Sequence, residues 1–443
     1  MMIKNKIFRN ISWIVGCRVV QAVISLVISM LTARYLGPGN YGLINYAASV
    51  VALVTPLMQL GINNVLVHEL VEHKNEEGKI VGTALTMTFA SAILCVLGVI
   101  SFAMIANHGE KDIILVCALY SFLLIAQSVE ITQYWFQAHY LAKYTAVTTL
   151  VAFGLVSIYR VVLLVMGMSV YWFAISQAID YFLIAIVLLV IYHKLGGQKL
   201  RFSFKTAREL FRVSRHYIIS GMMVTIFAQT DKIMLKLMID NEATGFYSTA
   251  VACATITGFV FVAIIDSVRP LIFESRKKSQ EEFEKNLVRL YSVIIFLSLA
   301  QSVFMTLLAK PIIQILYGSA YLDSVNLLRL VVWFTTFSYM GSVRNIWILS
   351  EGKQKYLWKV NLMGASLNII LNAITIPYMG AMGAAFASLL TQFFTNVVTG
   401  MLIRPISYNN RLILKSLNPL ILWRLATSVL KKAPAKESSS EQQ

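Results

Sequence analysis

The sequence predicts an all-α integral membrane protein: about twelve transmembrane helices in two six-helix bundles around a central polar, partly cationic cavity. Composition, the length of the apolar runs and the placement of basic residues carry that expectation. Hydrophobic residues make up 58% of the 443 and charged residues 13%, with mean hydropathy +0.70, outside the range of soluble domains. Runs long enough to cross about 30 Å of hydrocarbon lie near 11–35, 42–67, 80–106, 113–137, 145–166, 170–192, 216–239, 245–270, 290–316, 324–349, 357–377 and 380–403. Pro56, Pro270 and Pro311 fall inside the second, eighth and ninth runs, where proline marks bends that neighbouring helices satisfy.

The net charge is +17, so its distribution decides between a nucleic acid and a membrane. Segments 1–10, 68–80, 138–145, 193–216, 270–290, 350–360 and 404–443 hold 28 of the 38 Lys and Arg; the alternate connections hold one, Lys111, and the other nine lie within helices or near their ends. Basic residues in every second loop are the positive-inside pattern, which places both termini in the cytoplasm and leaves no part for nucleic acid. The expected organisation is an N-terminal bundle (1–193), a basic cytoplasmic linker (194–215), a C-terminal bundle (216–403) and a basic cytoplasmic tail (404–443). The first run is too long for a signal peptide and no cleavage site follows it. Cys17, Cys95, Cys117 and Cys253 all fall in spans, which points to apolar packing rather than disulfides. The end, "KKAPAKESSSEQQ", reads as disordered.

Catalytic motifs are lacking. "HELVEH" (68–73) places His68 and His73 five apart, about 140° around a helix, so the two do not share a face as zinc ligands must. There is no phosphate-binding glycine loop, nucleophile elbow or cysteine cluster, and connections on the non-cytoplasmic side run only about 4 to 9 residues. The chain therefore reads as a non-enzyme with no cofactor and no metal.

Internal repetition is more informative. "YWFQAHYLAKY" (134–144) and "IWILSEGKQKY" (346–356) share Trp, Lys and Tyr at an offset of 212, and "YGLINYAA" (41–48) aligns with "TGFYSTAV" (244–251) at an offset of 203. The order of both pairs agrees with a six-plus-six duplication whose halves run the same way.

Polar residues in these runs recur at helical spacing. Helix 1 carries Arg18, Gln21, Ser25, Ser29 and Thr32, and helix 7 carries Thr225, Gln229, Lys232 and Lys236, each set on one face. Helix 2 has Asn45, Ser49, Gln59 and Asn63, helix 4 has Gln127, Glu130, Tyr134 and Gln137, and helix 11 has Asn361, Gly364, Asn368, Asn372 and Thr375. Single Ser, Thr, Asn or Gln side chains in a membrane often only bond between helices. Ionised groups at a helix centre cost about 2.5–3.5 kcal/mol each, which makes them functional candidates. These are Arg18, Glu130, Arg160, Asp180, Asp231, Lys232, Asp266 and Arg344; Arg34, Lys236, Arg269, Lys310 and Arg329 lie nearer helix ends, where long side chains snorkel.

"RYLGPGNYGLINYAASVVALVTPLMQLGINN" (34–64), "YWFQAHYLAKY", "TDKIMLKLMIDNEATGFYSTA" (230–250) and "ILYGSAY" (315–321) resemble the Wzx-type polysaccharide-repeat (O-antigen and capsule) flippases of the multidrug/oligosaccharidyl-lipid/polysaccharide exporter superfamily, in the same order over nearly the whole chain. The resemblance implies a multi-pass protein of the bacterial cytoplasmic (inner) membrane that moves an undecaprenyl-pyrophosphate-linked oligosaccharide to the outer leaflet by alternating access, with membrane lipids, glycan-assembly proteins and a coupling ion, proton or sodium, as partners. Arginine suits a diphosphate and Asn and Gln suit sugar hydroxyls. The expected substrate residues are Arg18, Gln59, Asn63, Arg160, Lys232, Arg344, Asn368 and Asn372. Glu130, Asp180, Asp231 and Asp266 are expected to gate or couple, with Asp231 and Asp266 latching against Arg18 or Arg160. A lipid-linked peptidoglycan precursor, or export of a drug or cation, are the alternatives; the mid-helix set of four cations and four acids weighs against the latter.

Overall fold

A single kinked helix carries the first two apolar runs. In the computed structural model, which describes residues 2–421 and their side chains from Val20 onward, α1 (Met2–Met58) breaks at Gly37 (φ 69°, ψ 171°). Only glycine takes that backbone without strain. Pro38 then opens the second segment, its fixed φ suiting a first helical turn. The chain continues through α2 (Leu66–Glu72), α3 (Glu77–Ala106), α4 (Lys111–Ser121), α5 (Leu123–Val129), α6 (Gln133–Ala138), α7 (Ala142–Val165), α8 (Val170–Lys194) and α9 (Phe204–Met238). Then come α10 (Asn241–Thr255), α11 (Gly258–Lys278), α12 (Gln280–Leu307), α13 (Ala309–Leu316), α14 (Ser324–Ser350), α15 (Leu357–Met379), α16 (Ala381–Phe393), α17 (Thr399–Leu402) and α18 (Tyr408–Ser416). The described residues contain no strand.

Nine helices among the described residues are long and apolar enough to cross a membrane, and α10 with α11, bent by 42° at their junction, make a tenth if read as one span. Two of the twelve expected runs are not separate members of this set. Runs 11–35 and 42–67 share α1, and α14, which carries Arg329, Thr335, Thr336 and Arg344, is not among the nine. Ile105 (78% exposed), Val165 (83%) and Leu307 (73%) face outward, as lipid-facing positions must be apolar.

Two compact units arise from the contacts. The first comprises Met1–Thr249, Ile313–Ser324 and Asn368–Ala384. Its core sets Tyr46, Val50 and Met58 of α1 against Ala92, Val96 and Val99 of α3, Val116 and Tyr120 of α4, and Ala174 and Ala178 of α8. Small residues at these seams let backbones approach closely, which matters where lipid removes the hydrophobic drive for association. A second cluster gathers Leu66, Trp135, Phe136, Leu188 and Tyr192. Beside it Glu77, buried, accepts from Trp135 Nε1 at 2.9 Å and lies 3.3 Å from His139 Nε2.

The expected linker 194–215 is only partly a linker. α9 starts at Phe204, with Ser203 Oγ accepting from the Thr206 amide at 3.4 Å, so its second half is helical. The first half is strapped onto the start of α3. Gln198 Oε1 accepts from the Gly78 amide at 3.0 Å, Arg201 N donates to Gly78 O at 3.1 Å, and Ser203 N donates to Thr83 Oγ1 at 3.0 Å. A Cβ at Gly78 would lie 2.5 Å from Lys199 O, and one at Gly82 2.5 Å from Arg201 N. The strap therefore needs both glycines.

The second unit comprises Ala250–Ile312, Val325–Leu367 and Ala385–Gln443. Phe283, Leu287 and Tyr291 of α12 pack with Val343 and Trp347 of α14 and with Leu412 of α18. Part of the expected tail is thus ordered: Tyr291 Oη donates to Asn409 Oδ1 at 2.9 Å, and Ser292 Oγ to Ser416 O at 2.7 Å. The "KKAPAKESSSEQQ" segment lies outside the described residues. Cys95, Cys117 and Cys253 are buried and take part in no disulfide among the described residues, and Cys17 lies outside the described side chains.

Replacing Gly82 with valine should displace the strap at a cost of about 1–3 kcal/mol from overpacking. The expected outcome is a lower thermal midpoint in detergent and faster tryptic cleavage at Arg201; an unchanged cleavage rate would count against the strap.

Candidate functional site

Three polar assemblies in the first unit bring together residues that the sequence scattered. One is a cavity of about 190 Å³ lined by Ser25, Ser29, Thr32, Tyr41 and Asn45 of α1, Tyr120 of α4, Arg160 of α7, and Phe173, Ser176 and Gln177 of α8. Helix spacing explains the lining. Ser25, Ser29 and Thr32 follow one another by four and three residues, so they share the face turned inward. Arg160 Nε donates to Ser176 Oγ at 2.9 Å and its Nη2 to Gln177 Oε1 at 2.8 Å. These two bonds fix the plane of the guanidinium while leaving other N–H groups for an anion. Asp180, one turn beyond Ser176, is buried, acts electrostatically on both Arg160 and Glu130, and has one carboxylate oxygen with no hydrogen-bond partner among the described residues.

A smaller cleft of about 20 Å³ is lined by Gln59, Asn63, Thr88, Gln127, Glu130, Gln133 and Tyr134 among others. Asn63 Nδ2 donates to Gln59 Oε1 at 3.0 Å. Gln59, Asn63 and Glu130, expected in separate roles, therefore share one amide-rich site containing a carboxylate.

The third assembly surrounds Asp231 of α9, which is 8% exposed. Tyr247 Oη donates to its Oδ2 at 2.6 Å; Asn368 Nδ2 and Asn372 Nδ2 of α15 donate to its Oδ1 at 3.0 and 2.6 Å. Asn372 Nδ2 also donates to Asn368 Oδ1 at 3.1 Å, and Asn372 Oδ1 is buried without a hydrogen-bond partner among the described residues. The stripe neighbour Gln229 accepts from Ser49 Oγ of α1 at 3.0 Å. Lys232 is half-buried, and Lys236 reaches Glu110 at 3.5 Å.

Several sequence expectations change. Asn368 and Asn372, expected to face sugar, are buried and turned to Asp231, because a carboxylate among apolar helices attracts every donor within reach. Arg344, expected to line the cavity, is 4% exposed and donates to the Thr395 carbonyl. That carbonyl lies in the π-helical turn Phe394–Val398, where the wider turn disturbs the regular ladder and leaves acceptors free. Asp266 is half-exposed and pairs with Arg269 at 2.7 Å on its own helix. Of the expected latch, Asp266 thus holds a different partner, Arg160 bonds Ser176 and Gln177, and Arg18 lies outside the described side chains. Ser176, Gln177 and Tyr247 lie outside the polar faces expected from the sequence. The first two lie four and three residues before Asp180, a spacing that puts them on its face; Tyr247 gave no signal apart from its place in the repeated motif. Among the described residues no group of three or more His, Cys, Asp or Glu is placed to hold a metal.

The family described as polysaccharide biosynthesis protein matches residues 7–276. An uncharacterized membrane protein of Methanocaldococcus jannaschii is 24% identical over 432 residues, 89% of this chain and 83% of that one. A probable low-salt glycan biosynthesis flippase of Haloferax volcanii is 22% identical over 197 residues, 44% of this chain and 42% of its own. Among solved structures, the lipid II flippase MurJ in an inward closed conformation has TM-score 0.69 at 14% identity, with 93% of this chain and 92% of that one covered. An inward-facing multidrug resistance MATE family transporter of the MOP superfamily has TM-score 0.65 at 11% identity, covering 94% and 96%. These structural likenesses establish the fold.

Tyr247→Phe keeps the ring and removes one donor to Asp231. The expected loss is about 1.5–3 kcal/mol, the range for hydrogen bonds to charged groups, read as a lower thermal midpoint. Combined with Asp231→Asn the loss should be less than additive; strict additivity would deny the bond.

Proposed function

The chain belongs to the polysaccharide biosynthesis protein family, and from that premise we propose that it is a flippase for an undecaprenyl-pyrophosphate-linked oligosaccharide repeat unit. In this reading the cargo moves from the cytoplasmic to the outer leaflet of the bacterial cytoplasmic membrane by alternating access. Twelve spans in two six-helix bundles, with both termini in the cytoplasm, complete it. The observation that carries the reading is the Arg160 cavity: one oriented guanidinium among Ser, Thr, Asn, Gln and Tyr side chains inside a membrane protein. A diphosphate takes bidentate, charge-assisted hydrogen bonds from arginine, while hydroxyls and amides match sugar. Lys232 and Arg18 add positive charge to the path, Gln59 and Asn63 offer amides to sugar, and the lipid tail stays in the bilayer.

Asp231 with Asn368 and Asn372 is assigned to ion coupling. A carboxylate flanked by two side-chain amides offers oxygens to a monovalent cation after the amides turn, or accepts a proton. Either event removes the negative charge that now holds Tyr247, Asn368 and Asn372 together, so coupling acts by releasing that cluster. Glu130 and Asp180, beside the two cavities, are the further candidates for gating. A lipid-linked peptidoglycan precursor presents the same diphosphate and is the competing cargo.

Reconstitution into vesicles with fluorescent diphosphate-linked glycans, scored by leaflet accessibility, tests the reading. Flipping is expected, and Arg160→Ala should slow it roughly tenfold or more, the equivalent of one charge-assisted hydrogen bond. Arg160→Lys should recover only part, since ammonium lacks the planar fork. Failure with every diphosphate-linked glycan, together with export of small cations, would overturn the proposal. Asp231→Asn should flip at a rate indifferent to an imposed proton or sodium gradient; a retained dependence on either would remove Asp231 from the coupling role.

A further inference from the structure

Two glycines meet where the first loop of each repeat enters its following helix. Gly42 is four residues past Pro38, the residue after the break in α1, and Gly245 is four residues past Asn241, the first residue of α10. A Cβ on Gly42 would lie 1.8 Å from Asn241 O and 2.7 Å from the Gly245 amide nitrogen; a Cβ on Gly245 would lie 2.0 Å from Pro38 O and 3.2 Å from the Gly42 amide nitrogen. Pro38 and Asn241 stand 203 positions apart, as do Gly42 and Gly245, and 203 is the offset that aligns the repeated motif. The contact therefore maps onto itself when the repeats are exchanged. Such a self-complementary contact is what a two-fold relation imposes on the surfaces at its axis.

We propose that this glycine crossing is the reversible seal at the non-cytoplasmic end of the transport path, with no Cβ tolerated on either side while it is closed. Backbone lies directly on backbone there. Contacts of this kind are individually weak, so the seal opens without the penalty of separating a buried ion pair. A rim holds it shut. Tyr321, fully buried, donates from its hydroxyl to Ala33 O at 2.7 Å, and its ring meets Tyr41 edge-on at 6.3 Å and Phe246 at 6.2 Å. Tyr41 precedes Gly42 and Phe246 follows Gly245, so one ring covers both helices of the crossing. Arg34 donates to the carbonyl of Ile315, and Ser324 Oγ to Phe246 O at 3.0 Å. The segment Ile313–Ser324 thus clips over the meeting point.

The inference rests on the alternating-access reading, but its test needs no cargo. In a variant with the native cysteines replaced by alanine, Ser29→Cys places a thiol in the Arg160 cavity, and an impermeant maleimide is added from outside. Gly42→Val and Gly245→Val should each raise the labelling rate about tenfold and to a similar degree, the population shift of an overpacked contact. Gly39→Val, where a Cβ meets nothing within 4 Å, should label at the parent rate. Equal labelling of all four proteins would overturn the seal. Because valine can impair insertion, nitroxides on Asn40→Cys and Glu242→Cys in the glycine parent give a second measurement. Two distances are expected, with Gly42→Ala shifting weight to the longer; a single distance indifferent to that substitution would also overturn it. Failure to flip any diphosphate-linked glycan would sink the proposed cargo and leave these labelling results standing.

Discussion

Inside hydrocarbon a charged or polar group has only the protein for a partner, and the interior of this chain is organised around meeting that demand. Asp231 shows it most fully. Its carboxylate receives Tyr247, Asn368 and Asn372, so α9, α10 and part of α15 are tied together at one point. Arg160 is met by Ser176 and Gln177, Glu77 by Trp135 and His139, and Arg344 by the Thr395 carbonyl. Each is costly to bury unpaired, and each determines which helix faces turn toward one another.

The second demand is close approach. Helices in lipid gain little from burying apolar surface, so they associate by packing backbones tightly and by bonding across the seam. Glycine is used where approach is closest: Gly78 and Gly82 beneath the strap, Gly341 against Asn396, Gly383 against the Thr375 backbone, and the Gly42–Gly245 crossing. Gly341, Gly383 and the Gly42–Gly245 pair lie where helices meet, and Gly78 and Gly82 where the non-helical strap lies on α3. The polar hubs and the glycine seams therefore divide the labour, the first specifying orientation and the second distance.

Legibility in the sequence follows the same division. Placing Arg160 on a face with functional meaning needed only a cation at mid-helix, and grouping Ser25, Ser29 and Thr32 needed only helical spacing; the cavity that joins them is then a matter of packing. Asn368 and Asn372 were legible as one face of a helix, yet their shared partner sits 137 and 141 positions away, a distance no local pattern spans. Arg344 and Asp266 read as deep charges from position in an apolar run. A π-helical turn in one case and an arginine three residues along in the other decide what they bond.

By itself the sequence determined the solvent, the helical class, the approximate position of the apolar spans, the polar faces of five of them and the repetition at an offset of 203. All of these follow from one-dimensional quantities: run length, composition and helical period. Only the tertiary structure decided which polar faces meet, that the linker is a strap rather than a free connection, and that the repeated loops close on each other through two glycines. The reason is physical. A side chain's partner in a membrane is set by which helix comes within reach, and that depends on packing between residues far apart in the chain.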